Sequence, residues 1–242
     1  MSAIAKSDSK ALRRYRFYFV VDVSQSMRDE SRYGPNTPHS RLNTALPQLF
    51  KACLELPQLL KRTYFSVVTF SSKADVHLPS TLLDNVAGWD SLPQGDVTDY
   101  EHAFTTLHAL IENDDTSLSL PAGWHWFNPI VFFITDGEPT ADGKNRQPDT
   151  QWQKPRNALI AAHKPNIVAL GFGTAQEGTL VQVATTRDGE PLAFVDNHSL
   201  DTGGLIKSIQ TSILRSITQS TEHGTFDFPL PTGMRHVTRR AR

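Results

Sequence analysis

Asp22, Ser24 and Ser26 stand at alternate positions where the apolar run of residues 17–26, FYFVVDVSQS, turns polar. One carboxylate and two hydroxyls form a hard-oxygen donor set, suited to Mg²⁺ rather than to zinc. A second apolar run, PIVFFIT at residues 129–135, also ends in an acid, within Thr135-Asp136-Gly137. The chemistry these donors could do is cation coordination. The same residue types also cap helices and close turns, and the residues alone leave both readings open.

The elements that must position them follow from periodicity. Residues 17–21 are β-branched or aromatic without polar alternation, as in a central strand covered on both faces. Further strands are expected at residues 64–70, 129–135 and 166–172, with short ones at 74–78 and 192–195. Helical spacing over residues 41–60 is interrupted by Pro47 and Pro57. It predicts either a kink at Pro47 or a helix starting near Ala45, ending near Leu56. Other helices are expected at 101–111, with Thr98 or Asp99 as cap, at 150–162 with a break near Pro155, at 176–184 and at 204–217. The alternation predicts an α/β fold with a doubly wound, mainly parallel central sheet flanked by helices. The strand after Phe70 is a candidate antiparallel edge. In such sheets ligands bind outside the carboxyl ends of the strands, where Asp22, Ser24 and Ser26 fall. Residues 1–14 read as a polar lead-in, 15–218 as one domain, and 219–242 as a flexible basic tail containing Arg235, Arg239, Arg240 and Arg242. Residues 113–128, with Trp124, Trp126 and Phe127, read as an inserted lid over the sheet edge, or as an aromatic surface for a partner.

Asp22-Val23-Ser24-Gln25-Ser26 resembles the DxSxS signature of von Willebrand factor A-like domains, in which it opens a metal-ion-dependent adhesion site. In that family a threonine on a second loop and an aspartate in a strand-ending TDG motif complete the site. The resemblance therefore implies metal ligands at Asp22, Ser24, Ser26, Thr98 and Asp136, and extends over about residues 15–218. It implies a noncatalytic module in which a partner protein supplies a Glu or Asp carboxylate as the last ligand of Mg²⁺, or of Mn²⁺. Two carboxylates only balance the charge of such an ion, so it would stay electrophilic toward a third. Asp99 and Glu138 are acidic neighbours rather than expected ligands. Gly95-Asp96-Val97-Thr98 departs from the simpler GGT loop by adding an acid. The runs ITDGEPTADG and GDVTDYEHAF are similar to those of intracellular bacterial members encoded with tellurium-resistance and chemical-stress genes. That similarity implies a stress-response or defence complex with kinase and phosphatase partners.

Composition narrows the alternatives. The chain has 242 residues, 38% hydrophobic and 20% charged, with a formal net charge of -1. That length suits one α/β domain, and that charge gives no reason to expect nucleic acid or an anionic membrane as partner. The single cysteine, Cys53, lies in an apolar helical pattern and suits a reducing compartment. No run reaches the roughly 20 apolar residues that span a bilayer, and a cytoplasmic location is expected. Two other functions compete with the interaction module. One is an accessory subunit of an AAA+ ATPase, with hydrolysis supplied by the partner because this sequence has no P-loop. The other is a metal-dependent phosphohydrolase using Asp22 as nucleophile, for which the second carboxylate of a DxD motif is missing. GxGxxG after the first strand and HExxH are both absent.

Overall fold

The computed structural model describes residues 12–140 and 145–238. Strand β1 (Arg13–Asp22) is buried from Tyr15 onward. A 3-10 turn (Ser26–Arg28) and the one-turn helix α1 (Glu30–Tyr33) lead to α2 (Pro38–Leu54), then β2 (Thr63–Phe70) and β3 (Ala74–Leu82). Helix α3 (Tyr100–Ser117), β4 (His125–Trp126), β5 (Ile130–Thr135), α4 (Asp149–His163), β6 (Asn166–Gly171) and α5 (Glu177–Val183) follow. A small hairpin of β7 (Thr186–Arg187) and β8 (Glu190–Pro191), then β9 (Ala193–Asp196), α6 (Thr202–His223) and β10 (Met234–His236) complete the order.

The sheet runs β10-β9-β6-β5-β1-β2-β3, with β4 beside the start of β1. β1 pairs parallel with β2 and β5, as do β5 with β6 and β6 with β9. Both edges, β3 and β10, are antiparallel. The mainly parallel sheet with helices on both faces is the architecture expected from the sequence, and β3 is the expected edge. Because β2 and β5 lie on opposite sides of β1, the chain winds in both directions from β1. The switch point therefore lies at the carboxyl end of β1.

Alternating residues of β1 serve the two layers. Phe19 meets Phe50 of α2 at 5.5 Å between ring centroids, while Tyr18 donates a hydrogen bond to Asp114 of α3. On the α3 and α4 side, Phe133 stacks on Phe104 at 5.3 Å, and Tyr100 meets Trp152 at 5.6 Å. Cys53 is buried in this core, and burial pushes its thiol pKa up to about 12.

Three segments differ from the sequence reading. Helix α2 starts at Pro38, earlier than expected, because the Thr37 side chain caps Ser40 N and proline is compatible with the first turn. It carries Pro47 in its interior. A proline there costs about 3 kcal/mol, but Leu42, Leu46, Leu49 and Phe50 bury at about 1.5–3 kcal/mol each, so packing wins. Helix α4 likewise runs through Pro155.

Residues 113–117, expected in a lid, extend α3 instead, because Asp114 accepts hydrogen bonds from Tyr18 Oη at 2.7 Å and from Ser80 Oγ. The aromatic part lies at the amino end of β1: Trp126 sits in β4, and Arg16 lies 4.6 Å over its ring. These aromatics therefore flank the strand start rather than cover the sheet edge.

The segment read as a flexible tail from Gln219 is folded as far as it is described. α6 runs to His223, Phe226 and Phe228 are buried, and β10 pairs with β9. Arg235, read as part of a basic arm, pairs with Glu177. Arg239, Arg240 and Arg242 lie outside the described residues. The apolar spacing of Phe226, Phe228, Met234 and Val237 is too irregular to signal an element, yet each side chain finds the core.

Candidate functional site

At the switch point β1 ends in Asp22 and β5 ends in Thr135, one residue before Asp136. The register sets Val21 beside Ile134, which brings the two strand ends together. Asp22 and Asp136 are both fully buried. Asp22 Oδ1 accepts from Ser24 N at 2.9 Å, and its Oδ2 accepts from Thr135 Oγ1 at 2.7 Å. Asp136 Oδ1 accepts from Ser26 Oγ at 2.7 Å, and Oδ2 from Tyr33 Oη at 2.8 Å. Ser24 Oγ lies 3.1 Å from Ser26 Oγ, so the two serines of the Asp-x-Ser-x-Ser turn form a chain of hydroxyls that ends on the Asp136 carboxylate.

Thr98 reaches the same point from the loop before α3. A Cβ placed on Gly137 would lie 3.7 Å from Thr98 Oγ1 and 3.8 Å from Ser26 Oγ. The Thr98 loop is tied down on both sides. Gln25 N donates to Asp96 O at 2.9 Å and Gly95 N to Val23 O at 2.9 Å, while Thr140 N donates to Thr98 O at 2.7 Å. Gly95 packs against Ser71 so closely that a Cβ would overlap the serine side chain, which makes glycine necessary in this loop. All five residues anticipated as ligands are thus brought together.

Asp99 and Glu138 stand apart from the donor set. Asp99 caps α3, accepting at Oδ1 from His102 N at 3.1 Å and from Gln147 Nε2 at 2.9 Å. Glu138 pairs with Arg146 at 2.7 Å and accepts from Thr179 Oγ1 at 2.9 Å.

Three supporting residues were not singled out from the sequence. Thr135 Oγ1 orients Asp22 and accepts from Gly137 N at 3.2 Å. Tyr33 holds Asp136 from α1, in space that exists because a Cβ on Gly173 would overlap its hydroxyl. Gln147, wholly buried, donates to Asp99 and accepts from Tyr100 N at 3.1 Å, locking the start of α3 to the loop after β5. A sequence signal existed only for Thr135, within the TDG run.

Electrostatics gives the site its bias. Burial raises the Asp22 pKa, and repulsion from Asp136 raises it further. Burial likewise raises Asp136 against the opposing hydrogen bonds from Ser26 and Tyr33. Among the described residues neither carboxylate forms an ion pair with a Lys, Arg or His. Burying an uncompensated carboxylate costs several kcal/mol, and hydrogen bonds to a charged acceptor return about 1.5–3 kcal/mol each. The Arg32 charge acts on Asp136 without forming an ion pair with it, and a divalent cation would balance the two adjacent carboxylates. Two carboxylates and three hydroxyls, with no imidazole or thiol among them, fit a hard cation of the Mg²⁺ class. Burial raises the Tyr33 pKa, as does Asp136, so its hydroxyl remains a donor throughout the ordinary pH range.

The donors open onto a cleft of about 900 Å³ lined by Gln25, Ser26, Asp96, Thr98, Gly137 and Glu138, with Arg28, Asp29 and Glu30 on its rim. Arg28 is engaged by Gly95 O at 2.6 Å and Gln94 Oε1 at 3.0 Å. Asp29, Glu30 and Asp96 outnumber Arg28 there, so the cleft mouth is acidic. Among the described residues no helix is long and apolar enough to cross a membrane.

Comparison with known proteins agrees with this architecture. No curated protein matches the chain. Among solved structures, proximal thread matrix protein 1 from the mussel byssus is 16% identical, with a TM-score of 0.58 over 85% of this chain and 48% of its own. One structure of that mussel protein has a zinc-occupied MIDAS motif. The pilus adhesin SpaC from Lactobacillus rhamnosus GG is 13% identical with a TM-score of 0.64, over 86% of this chain and 31% of its own. The ArnB paralog VWA2 from Sulfolobus acidocaldarius is 15% identical with a TM-score of 0.55, over 83% and 45%. The chain spans half or less of the length of these structures, and at such identities the likeness is one of fold. The family model described as the von Willebrand factor type A domain matches residues 17–138, half of the chain. The chain belongs to the von Willebrand factor type A domain family.

Proposed function

We propose that this protein is a noncatalytic, metal-dependent protein-interaction module whose ligands are Asp22, Ser24, Ser26, Thr98 and Asp136. The observation that carries this reading is the pair of fully buried carboxylates at the switch point, ringed by hydroxyls and, among the described residues, in no ion pair with a basic side chain. Von Willebrand factor A domains are generally interaction modules rather than enzymes. A bound Mg²⁺ would supply the Lewis acidity that accepts a carboxylate from a partner's Glu or Asp. Within the chain, Thr135 and Tyr33 fix the orientation of the two aspartates, and the Gln147 amide holds the Thr98 loop against the Asp136 loop.

The rim adds a specificity element. Asp29, Glu30 and Asp96 repel a bare acidic peptide, so the incoming carboxylate is one flanked by Lys or Arg. The similarity of the TDGEPT run to bacterial stress-associated members supports a place in a cytoplasmic stress-response or defence complex with kinase and phosphatase partners.

The test is affinity capture from native lysate with Mg²⁺ or with EDTA, read by mass spectrometry, for the intact chain and for Asp22→Ala and Thr98→Ala. A partner retained only with metal and an intact site is expected. Capture indifferent to both metal and substitution, by folded variants, would overturn the reading. So would phosphatase turnover that Asp22→Asn abolishes.

A further inference from the structure

A second cluster lies on the helical layer, away from the oxygen site. His108 and Glu112 are one turn apart on α3, and His163 closes α4, which packs beside α3. His108 is eight residues into α3, about 12 Å along its axis from Tyr100 at its start. One donor atom from each of His108, Glu112 and His163 lies within 4.8 Å of the others. His108 Nε2 is 3.5 Å from Glu112 Oε1, and the two imidazoles lie edge to face with centroids 5.3 Å apart.

The nitrogens are what require explanation. His108 Nε2 and His163 Nε2 are both buried atoms without a hydrogen-bond partner, the 3.5 Å approach of Glu112 being too long to satisfy the first. The His163 side chain is only 10% exposed. Leaving a buried polar atom unsatisfied is destabilising, so edge-to-face packing alone leaves two such atoms unanswered.

His163 is also oriented as a ligand would be. Its Nδ1 lies 2.9 Å from Asp115 Oδ2, and the other Asp115 oxygen pairs with Arg16 at 2.5 Å. A carboxylate on Nδ1 fixes the tautomer that leaves the Nε2 lone pair free, the arrangement by which metal-bound histidines are held.

We propose that His108, Glu112 and His163 bind a divalent transition-metal ion of the zinc class. Two imidazoles and one carboxylate select such an ion over Mg²⁺ or Ca²⁺. Tetrahedral coordination at Zn–N of about 2.0–2.1 Å sets neighbouring ligand atoms about 3.3 Å apart. The His108–Glu112 pair is already near that spacing, and Glu112, 63% exposed, is free to swing inward and to admit the ion. Three protein ligands leave a fourth position for water or for a group from outside. The site uses none of the five residues of the oxygen site.

The experiment is calorimetric titration of Zn²⁺ into the chelator-treated full chain carrying Asp22→Ala, which removes the other site, with Co²⁺ absorption as a second readout. One equivalent of Zn²⁺ is expected to remain, with tetrahedral Co²⁺ bands. Glu112→Gln, an exposed change that leaves packing intact, and His163→Gln are each expected to weaken it at least tenfold, and millimolar Mg²⁺ to leave it unchanged. Zn²⁺ affinity and stoichiometry unaltered by Glu112→Gln and by His108→Gln in folded protein would overturn the proposal. So would the absence of any Zn²⁺ binding.

Discussion

At the carboxyl end of the sheet, Asp22 and Asp136 are buried side by side with hydroxyls, and among the described residues neither forms an ion pair. At the amino end Asp115 pairs with Arg16 and His163, and Asp114, held by the hydroxyls of Tyr18 and Ser80, lies in the field of Arg16. The same fold thus holds one charge-imbalanced end and one balanced end. Strand ends converge at the switch point, where a cleft admits an ion and a partner. At the amino end Arg16, buried under the Trp126 ring, supplies the cation that Asp115 pairs with. Acids therefore differ in meaning according to what faces them: one paired with a cation stabilises the fold, and two buried side by side with hydroxyls store affinity for a cation.

The largest difference between the ends should appear in metal response. Asp136→Ala should cost at least a hundredfold in Mg²⁺ affinity, measured by calorimetry, whereas Asp115→Asn should leave that affinity unchanged. In urea unfolding the order should reverse. Asp115→Asn should destabilise the chain by about 1–3 kcal/mol, because it removes a charged partner from the buried Arg16. Removing Asp136 from cation-free protein should cost less, or stabilise, since it relieves the repulsion at Asp22. A larger loss for Asp136→Ala without metal would break the comparison.

A smaller effect is expected from Thr98→Val, which keeps shape and deletes one hydroxyl donor. About a tenfold loss of Mg²⁺ affinity, or ~1.4 kcal/mol, would place Thr98 among the ligands. No change would reduce it to a loop contact.

The pH dependence has a definite sign. The raised pKa values of Asp22 and Asp136 mean that the cation-free folded chain holds protons that the unfolded chain releases. Their contribution to stability is therefore full below the ordinary carboxylate value of ~3.9 and is lost as pH rises through the raised values. A cation removes that loss, so the Mg²⁺-induced rise in Tm should be larger at pH 7.5 than at pH 4.5. Equal rises at both pH values would contradict the electrostatic account.

The smallest response belongs to Cys53. With its thiol fully buried and its pKa pushed up to about 12, it should react with a thiol reagent at pH 8 only at the rate of unfolding. Fast modification of native protein would show the core to be looser than described.

The contrast between the two ends also explains what the sequence revealed. The oxygen site was legible because Asp22, Ser24 and Ser26 fall within five residues, so one strand end presents three donors in a recognisable spacing. The ligand roles of Thr98 and Asp136 entered through family resemblance; the register of β1 with β5 explains why Asp136 meets that turn, and the bonds of Gly95 and Asp96 to Val23 and Gln25 bring the Thr98 loop there. The cluster of His108, Glu112 and His163 left no contiguous signal, because it depends on how α3 and α4 pack. Tyr33 was invisible for a related reason: its role depends on the gap left by Gly173, 140 positions away in sequence. Local proline rules misplaced the start of α2, since burial of its apolar face outweighs Pro47. The fold after Gln219 was hidden because its four core side chains follow no helical or strand period.

The central claim is that the unanswered carboxylates at the switch point bind a hard divalent cation. It is tested most directly by calorimetric titration of Mg²⁺ into the chelator-treated full chain and into Asp22→Asn, which preserves side-chain shape while removing the charge. One Mg²⁺ bound by the native sequence, and none at the same concentration by a folded Asp22→Asn, is the predicted result. Equal binding by both, or none by the native sequence, would contradict it.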